Sequence, residues 1–115
     1  MNKPMKRIAI PEEDGMLFEH FGHTRQFAVY SASTDLIESE EVLVAPPHEP
    51  GRLPLFLSEQ GITDVIAGGI GDRAIALLQS IDIQVTAGVA VRPVRELAQD
   101  YLHGDLAGGR NRCDH

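Results

Sequence analysis

The chain has 115 residues, a formal net charge of −7 and one cysteine. Such a length fits one domain that buries its own core without disulfides, and a lone thiol excludes an internal disulfide and fits a reducing, cytoplasmic setting. The acidity argues against a general nucleic-acid binder, which displaces counterions with a basic surface, and the sequence has neither a membrane-length apolar run nor the apolar core of a signal peptide.

In chain order, Lys6 to Pro11 predicts a short strand closed by Pro11 and the acidic turn Glu12-Glu13-Asp14-Gly15. A loop carrying His20-Phe21-Gly22-His23 follows. Gln26 to Ser33, rich in aromatic and β-branched residues, predicts a second strand, and Leu36 to Ala45 a third. Their short spacing suggests an antiparallel meander. Pro46-Pro47-His48-Glu49-Pro50-Gly51 breaks the chain before a helix from Leu53 to Gln60, with Leu53, Phe56 and Leu57 on one face.

Asp64 to Ala67 predicts a buried strand running into Gly68-Gly69-Ile70-Gly71. A helix then starts at Asp72, with Ala74, Leu77, Leu78 and Ile81 as its buried stripe. Ile83 to Ala87 predicts a fifth strand. Pro93 opens a third helix, with Val94, Leu97, Ala98, Tyr101 and Leu102 at helical spacing. The result is an α/β domain over residues 1–106, a mixed five-stranded sheet with flanking helices. Residues 107–115 read as a flexible Gly-rich tail ending in Cys113-Asp114-His115.

With these strand directions, the carboxyl ends of four strands share one edge of the sheet, where α/β proteins tend to bind ligands. That edge gathers His20 and His23, the His48 loop, the Gly68–Gly71 turn and the connection from Ala87 to Arg92, together with Arg25, Arg52, Arg73 and Arg92. Local positive charge in an acidic chain suits an anionic guest. His20 and His23 are candidate metal ligands; the alternative is local packing of one and solvation of the other. Gly69 and Gly71 precede a helix N-terminus, where amide donors and the dipole favour anions; the alternative is close strand–helix packing that admits only Gly. Cys113 and His115 pair a thiolate with an imidazole, donors suited to zinc, iron or copper. Catalytic motifs are lacking: there is no G-x-S-x-G, no H-E-x-x-H, and no positioned nucleophile.

The order HFGHTRQFAVYS, then LPLFLSEQGITDVIAGGIGDRAIALLQSIDIQVTAG, then VRELAQDYLHGDL resembles the dinitrogenase iron-molybdenum cofactor biosynthesis family, which includes NifX, the core of NafY and the C-terminal domain of NifB. The resemblance spans roughly Arg7 to Leu106. It implies a ribonuclease H-like fold without nuclease chemistry, since function resides in sites rather than folds, and RIAIP carries no acidic residue of the kind such nucleases use. It also implies binding, storage or transfer of iron-sulfur or iron-molybdenum cluster species; one related protein holds a molybdenum-copper sulfide cluster. Carried onto this chain, His20 and His23 become the candidate cluster contacts, and many small members likewise end in Cys-x-His; together with the convergence of loops, this makes Arg25 and Arg73 candidate charge partners and Cys113 and His115 candidate further ligands. The expectation is a non-enzymatic carrier served by cluster donor or acceptor proteins, with no nucleic-acid or membrane partner. The alternative is a metal-free regulatory or scaffolding module that binds a protein at the same edge.

Overall fold

The computed structural model describes residues 5–47, 49 and 51–106. Its elements are β1 (Met5–Glu13), β2 (Met16–Leu17), a 3-10 turn (Phe21–His23), β3 (Gln26–Ser33), β4 (Leu36–Val44), α1 (Arg52–Glu59), β5 (Asp64–Ile66), α2 (Asp72–Ser80), β6 (Gln84–Thr86) and α3 (Val94–Leu102). The strands form one mixed sheet in the order β4-β3-β1-β5-β6, with β2 paired to β1. The β1–β3 and β3–β4 pairs are antiparallel; β1–β5 and β5–β6 are parallel.

The expected five strands become six, because β1 does not stop at Pro11. Pro11 stays in register with Phe27, and its carbonyl accepts from the Phe18 N–H at 2.8 Å. The N–H that proline lacks therefore lies on that side, away from β3, and breaks no β1–β3 ladder bond. Glu12 and Glu13 then pair with Leu17 and Met16 to make the short β2 hairpin. The first strand thus ends in two carboxylates, contrary to the acid-free strand expected; Glu12 is engaged by the Gly15 N–H and by the Gln26 amide.

Strand alternation divides the core between the two faces of the sheet. Ala9, Phe27, Val29 and Val65 face α1 and α2 and pack with Leu57 and Leu78. Ile8, Ile10, Tyr30 and Ile66 face α3 and pack with Leu97 and Ala98. Cover on both faces explains why β1 and β3 read as nearly continuous apolar runs. The buried stripe of α2 is narrower than its spacing suggests: Leu78 is buried, whereas Leu77 and Ile81 are exposed.

At the amino ends of the parallel strands, Asp64 is 2% exposed. Its carboxylate accepts from the Thr63 and Tyr101 hydroxyls and lies 3.6 Å from Lys6 Nζ. These bonds tie the end of α3 to the sheet. Burial, followed by the hydrogen bond to Asp64, holds the Tyr101 phenol above its ordinary value. Helix α3 starts at the opposite edge, where the Val94 N–H donates to Gly15 O at 3.0 Å. Among the described residues, no helix is long and apolar enough to cross a membrane.

Candidate functional site

Because β1, β4, β5 and β6 run the same way, their carboxyl ends meet at one edge. Beyond β5 the backbone continues as an extra pairing segment. The Gly69 N–H donates to Glu19 O at 2.7 Å and the Phe21 N–H to Gly69 O at 3.1 Å. On the other flank, the Gly88 N–H donates to Gly68 O at 2.9 Å and the Val89 N–H to Ala67 O at 3.1 Å. The histidine loop, the glycine turn and the segment after β6 are thus hydrogen-bonded side by side at this edge.

This contact explains two of the glycines. A Cβ on Gly69 would stand 3.2 Å from Glu19 O, and one on Gly68 would stand 3.4 Å from both Glu19 O and Val89 O. The close neighbour is the adjoining backbone rather than α2, where the packing alternative had put it. Gly71 has φ −72° and nothing within 4 Å of an added Cβ. It is the N-cap of α2 without a side-chain cap, so the first-turn amides emerge at this edge beside Asp72.

The histidine turn is held from below. Phe21 is buried and meets Phe27 edge-on, with ring centroids 5.8 Å apart. Buried Thr24 donates from its hydroxyl to Gln26 O at 2.7 Å. The His23 N–H donates to His20 O at 3.0 Å, which sets the two histidines one 3-10 turn apart. Both are exposed. His20 is steadied by Phe18, whose ring stands edge-on at 6.0 Å. The alternation Phe18-x-His20 was the only signal in the sequence for that contact.

His23 and Arg25 stand between two open clefts. One, of about 490 Å³, is walled by Gly22, Ala45, Pro46 and Leu53. The other, of about 600 Å³, is walled by Glu12, Glu13, Asp14 and Phe18. Pro46, a chain breaker by its sequence, also walls the first of these clefts. A third cleft, between α1 and α2, includes Arg73.

The expected ring of arginines is incomplete. Arg25, Arg52 and Arg73 are exposed and form no ion pair among the described residues. Arg92 instead turns onto α3, 2.7 Å from Asp100 and 3.4 Å from Glu96. Its hydrogen bond to Asp100 raises the guanidinium pKa further. These side-chain partners lie on α3 rather than at the edge. Among the described residues, no group of three or more His, Cys, Asp or Glu side chains is placed to hold a metal ion. His48, Cys113 and His115 lie outside the described residues.

The family model for dinitrogenase iron-molybdenum cofactor proteins matches residues 5–104. The chain belongs to this family. Among solved structures, PH0822 is 33% identical with a TM-score of 0.81, the match covering 87% of this chain and 91% of that one. The apo form of the orange protein from Desulfovibrio gigas is 25% identical with a TM-score of 0.78, covering 96% of this chain and 98% of that one. MJ0327 from Methanocaldococcus jannaschii shares the fold, with a TM-score of 0.71 at 12% identity, covering 91% of this chain and 95% of that one. No curated protein matches the chain.

Proposed function

We propose that this family member is a non-enzymatic, cytoplasmic carrier that binds, stores or transfers an anionic metal-sulfur cluster of the iron-sulfur or iron-molybdenum kind, the cluster being cargo. The observation that carries this reading is the exposed pair His20 and His23, one turn apart on a backbone braced by Gly69, with Arg25 in the same clefts as His23. Imidazole is a borderline donor that suits iron and copper, and guanidinium groups offset the charge of an anionic cluster. A preformed cluster brings sulfide ligands of its own. A pair of imidazoles therefore suits it better than a bare zinc ion, which takes four ligands.

Membership of the family supports this reading, as does similarity to the orange protein, which has been solved in an apo form. The strand order supports the ribonuclease H-like description that the resemblance implies. Arg73, at the start of α2, would add charge near the cargo, and Cys113 and His115 would supply a second ligand pair.

Anaerobic reconstitution with iron and sulfide, or with tetrathiomolybdate, tests the reading by absorption spectroscopy and metal analysis. The wild type should take up cluster, and His20→Ala/His23→Ala should lose most of it while keeping its fold by circular dichroism. Uptake by the double variant equal to wild type would remove the ligand assignment.

A further inference from the structure

Helices α1 and α2 lie side by side on one face of the sheet, and both begin at the cargo edge. Between their first turns runs a cleft of about 350 Å³ walled by Gly51 and Pro54 of the α1 side and by Arg73, Ala74 and Leu77 of α2. Its lining is mainly aliphatic. Leu77 in that lining is 39% exposed, and Leu55, the next position along α1 after Pro54, is 52% exposed.

The charges at its mouth have the opposite sign to the molecule. Arg52 is the first residue of α1 and Arg73 the second of α2. Both are exposed and neither forms an ion pair among the described residues. Cations at helix N-termini oppose the macrodipole, so folding alone does not favour arginine at either position. Arg73 lines the cleft and Arg52 lies beside Gly51 of its wall, while Asp72, the first residue of α2, offsets one of these charges; the second arginine and the two helix N-termini leave this end of the groove positive in a chain of net charge −7.

We infer that the α1–α2 groove docks an acidic amphipathic segment of a protein partner, leucine-type side chains entering between Pro54 and Leu77 and carboxylates meeting Arg52 and Arg73. An aliphatic floor with a cationic mouth matches a helix-in-groove mode of recognition, and the complementary charge sets the sign of the partner. The inference does not depend on what the histidine turn holds. A cargo donor or acceptor seated here would nonetheless lie next to that turn.

The test uses the whole chain and two short amphipathic peptides with identical leucines, one carrying glutamates and the other lysines at its polar positions. Net charge alone predicts that the lysine peptide binds better; the groove predicts the reverse. Titrations followed by fluorescence anisotropy and by amide NMR shifts should show tighter binding of the glutamate peptide, with shifts clustered at Gly51–Leu55 and Arg73–Leu77. Arg73→Glu should weaken the glutamate peptide roughly tenfold and strengthen the lysine peptide, a charge swap that a merely misfolded variant would not produce. Leu77→Asp should weaken both. Equal or lysine-favoured binding to the wild type, or shifts centred elsewhere, would overturn the inference. So would inorganic phosphate, at matched ionic strength, shifting the same amides and displacing the glutamate peptide, because the groove would then be a free-anion site.

Discussion

The Tyr101 hydroxyl donates to the buried Asp64 carboxylate, joining the end of α3 to the start of β5. Asp64 is enclosed, and its oxygens are shared among the Thr63 hydroxyl, the Tyr101 hydroxyl and the Lys6 ammonium. Removing the phenol oxygen leaves a buried carboxylate short of a donor, a change that costs about 1–3 kcal/mol. Tyr101→Phe should therefore lower the urea midpoint at neutral pH. The pH dependence has a definite sign. The folded phenol is held above the ordinary 10.0, so the folded state keeps its proton where the unfolded chain releases it. The associated stability is present below pH 10.0 and is lost as pH rises through the folded value. Tyr30 is raised in the same direction by burial and by Glu40, so Tyr101→Phe should flatten the alkaline loss of stability without abolishing it. Identical alkaline slopes for variant and wild type, measured by thermal melts across that range, would show that the phenol is not held in this way.

At the scale of elements, the extension of β5 past Ile66 distinguishes glycines that look alike in the sequence. Gly69→Ala pushes a methyl group to 3.2 Å from Glu19 O, a backbone atom that cannot swing away. That overpacking should cost about 1–3 kcal/mol. Gly71→Ala meets open space at an ordinary φ and should stay within about 0.5 kcal/mol of wild type. Denaturant melts of the two variants separate close approach from tolerance; equal effects would argue against the pairing of Glu19 with Gly69.

The sequence made β3, β4 and all three helices legible, because their periodicity follows directly from one or two covered faces. It hid β2, because two residues carry no pattern, and it ended β1 early, because the cost of Pro11 depends on which flank its missing N–H faces. The turn with His20 and His23 was legible as a candidate, and its neighbours Gly69 and Arg25 followed from strand direction. The pairing of Arg92 with Asp100 was not, since a residue before a helix can point along the helix or out to the edge. Edge strand β4 shows another feature hidden from pattern. Ser31 pairs with Ser39 but Ala32 with Ile37, leaving Glu38 as an extra residue. The bulge and the run of glutamates break the regular edge that another strand would need for pairing.

At the scale of the molecule, the two ends of the sheet do different work. The amino ends are locked by Asp64, Tyr101 and Lys6, together with Arg7, which bonds Gln60 O at 3.1 Å and pairs with Glu41 at 3.0 Å. The carboxyl ends carry the exposed histidines, three arginines without ion pairs among the described residues, and the starts of α1 and α2. Helix α3 runs back from the second end to the first, and Leu106 packs in the core on its side of the sheet.

The side-by-side hydrogen bonding of Phe21, Gly69 and Gly88 also bears on how cargo would enter and leave. Segments that resemble loops are here an outward continuation of the central sheet, and their amides are locked into strand-like bonds. Hydrogen exchange reads this directly: the Phe21, Gly69 and Gly88 amides should exchange as slowly as those of β5, with or without cargo. Rapid exchange in the free chain that slows on loading would instead describe a lid. On the proposed function, a platform that is rigid before it is loaded loses little conformational entropy on capture and regains little on release, so hand-over would be governed by ligand exchange at the metal rather than by opening of the platform.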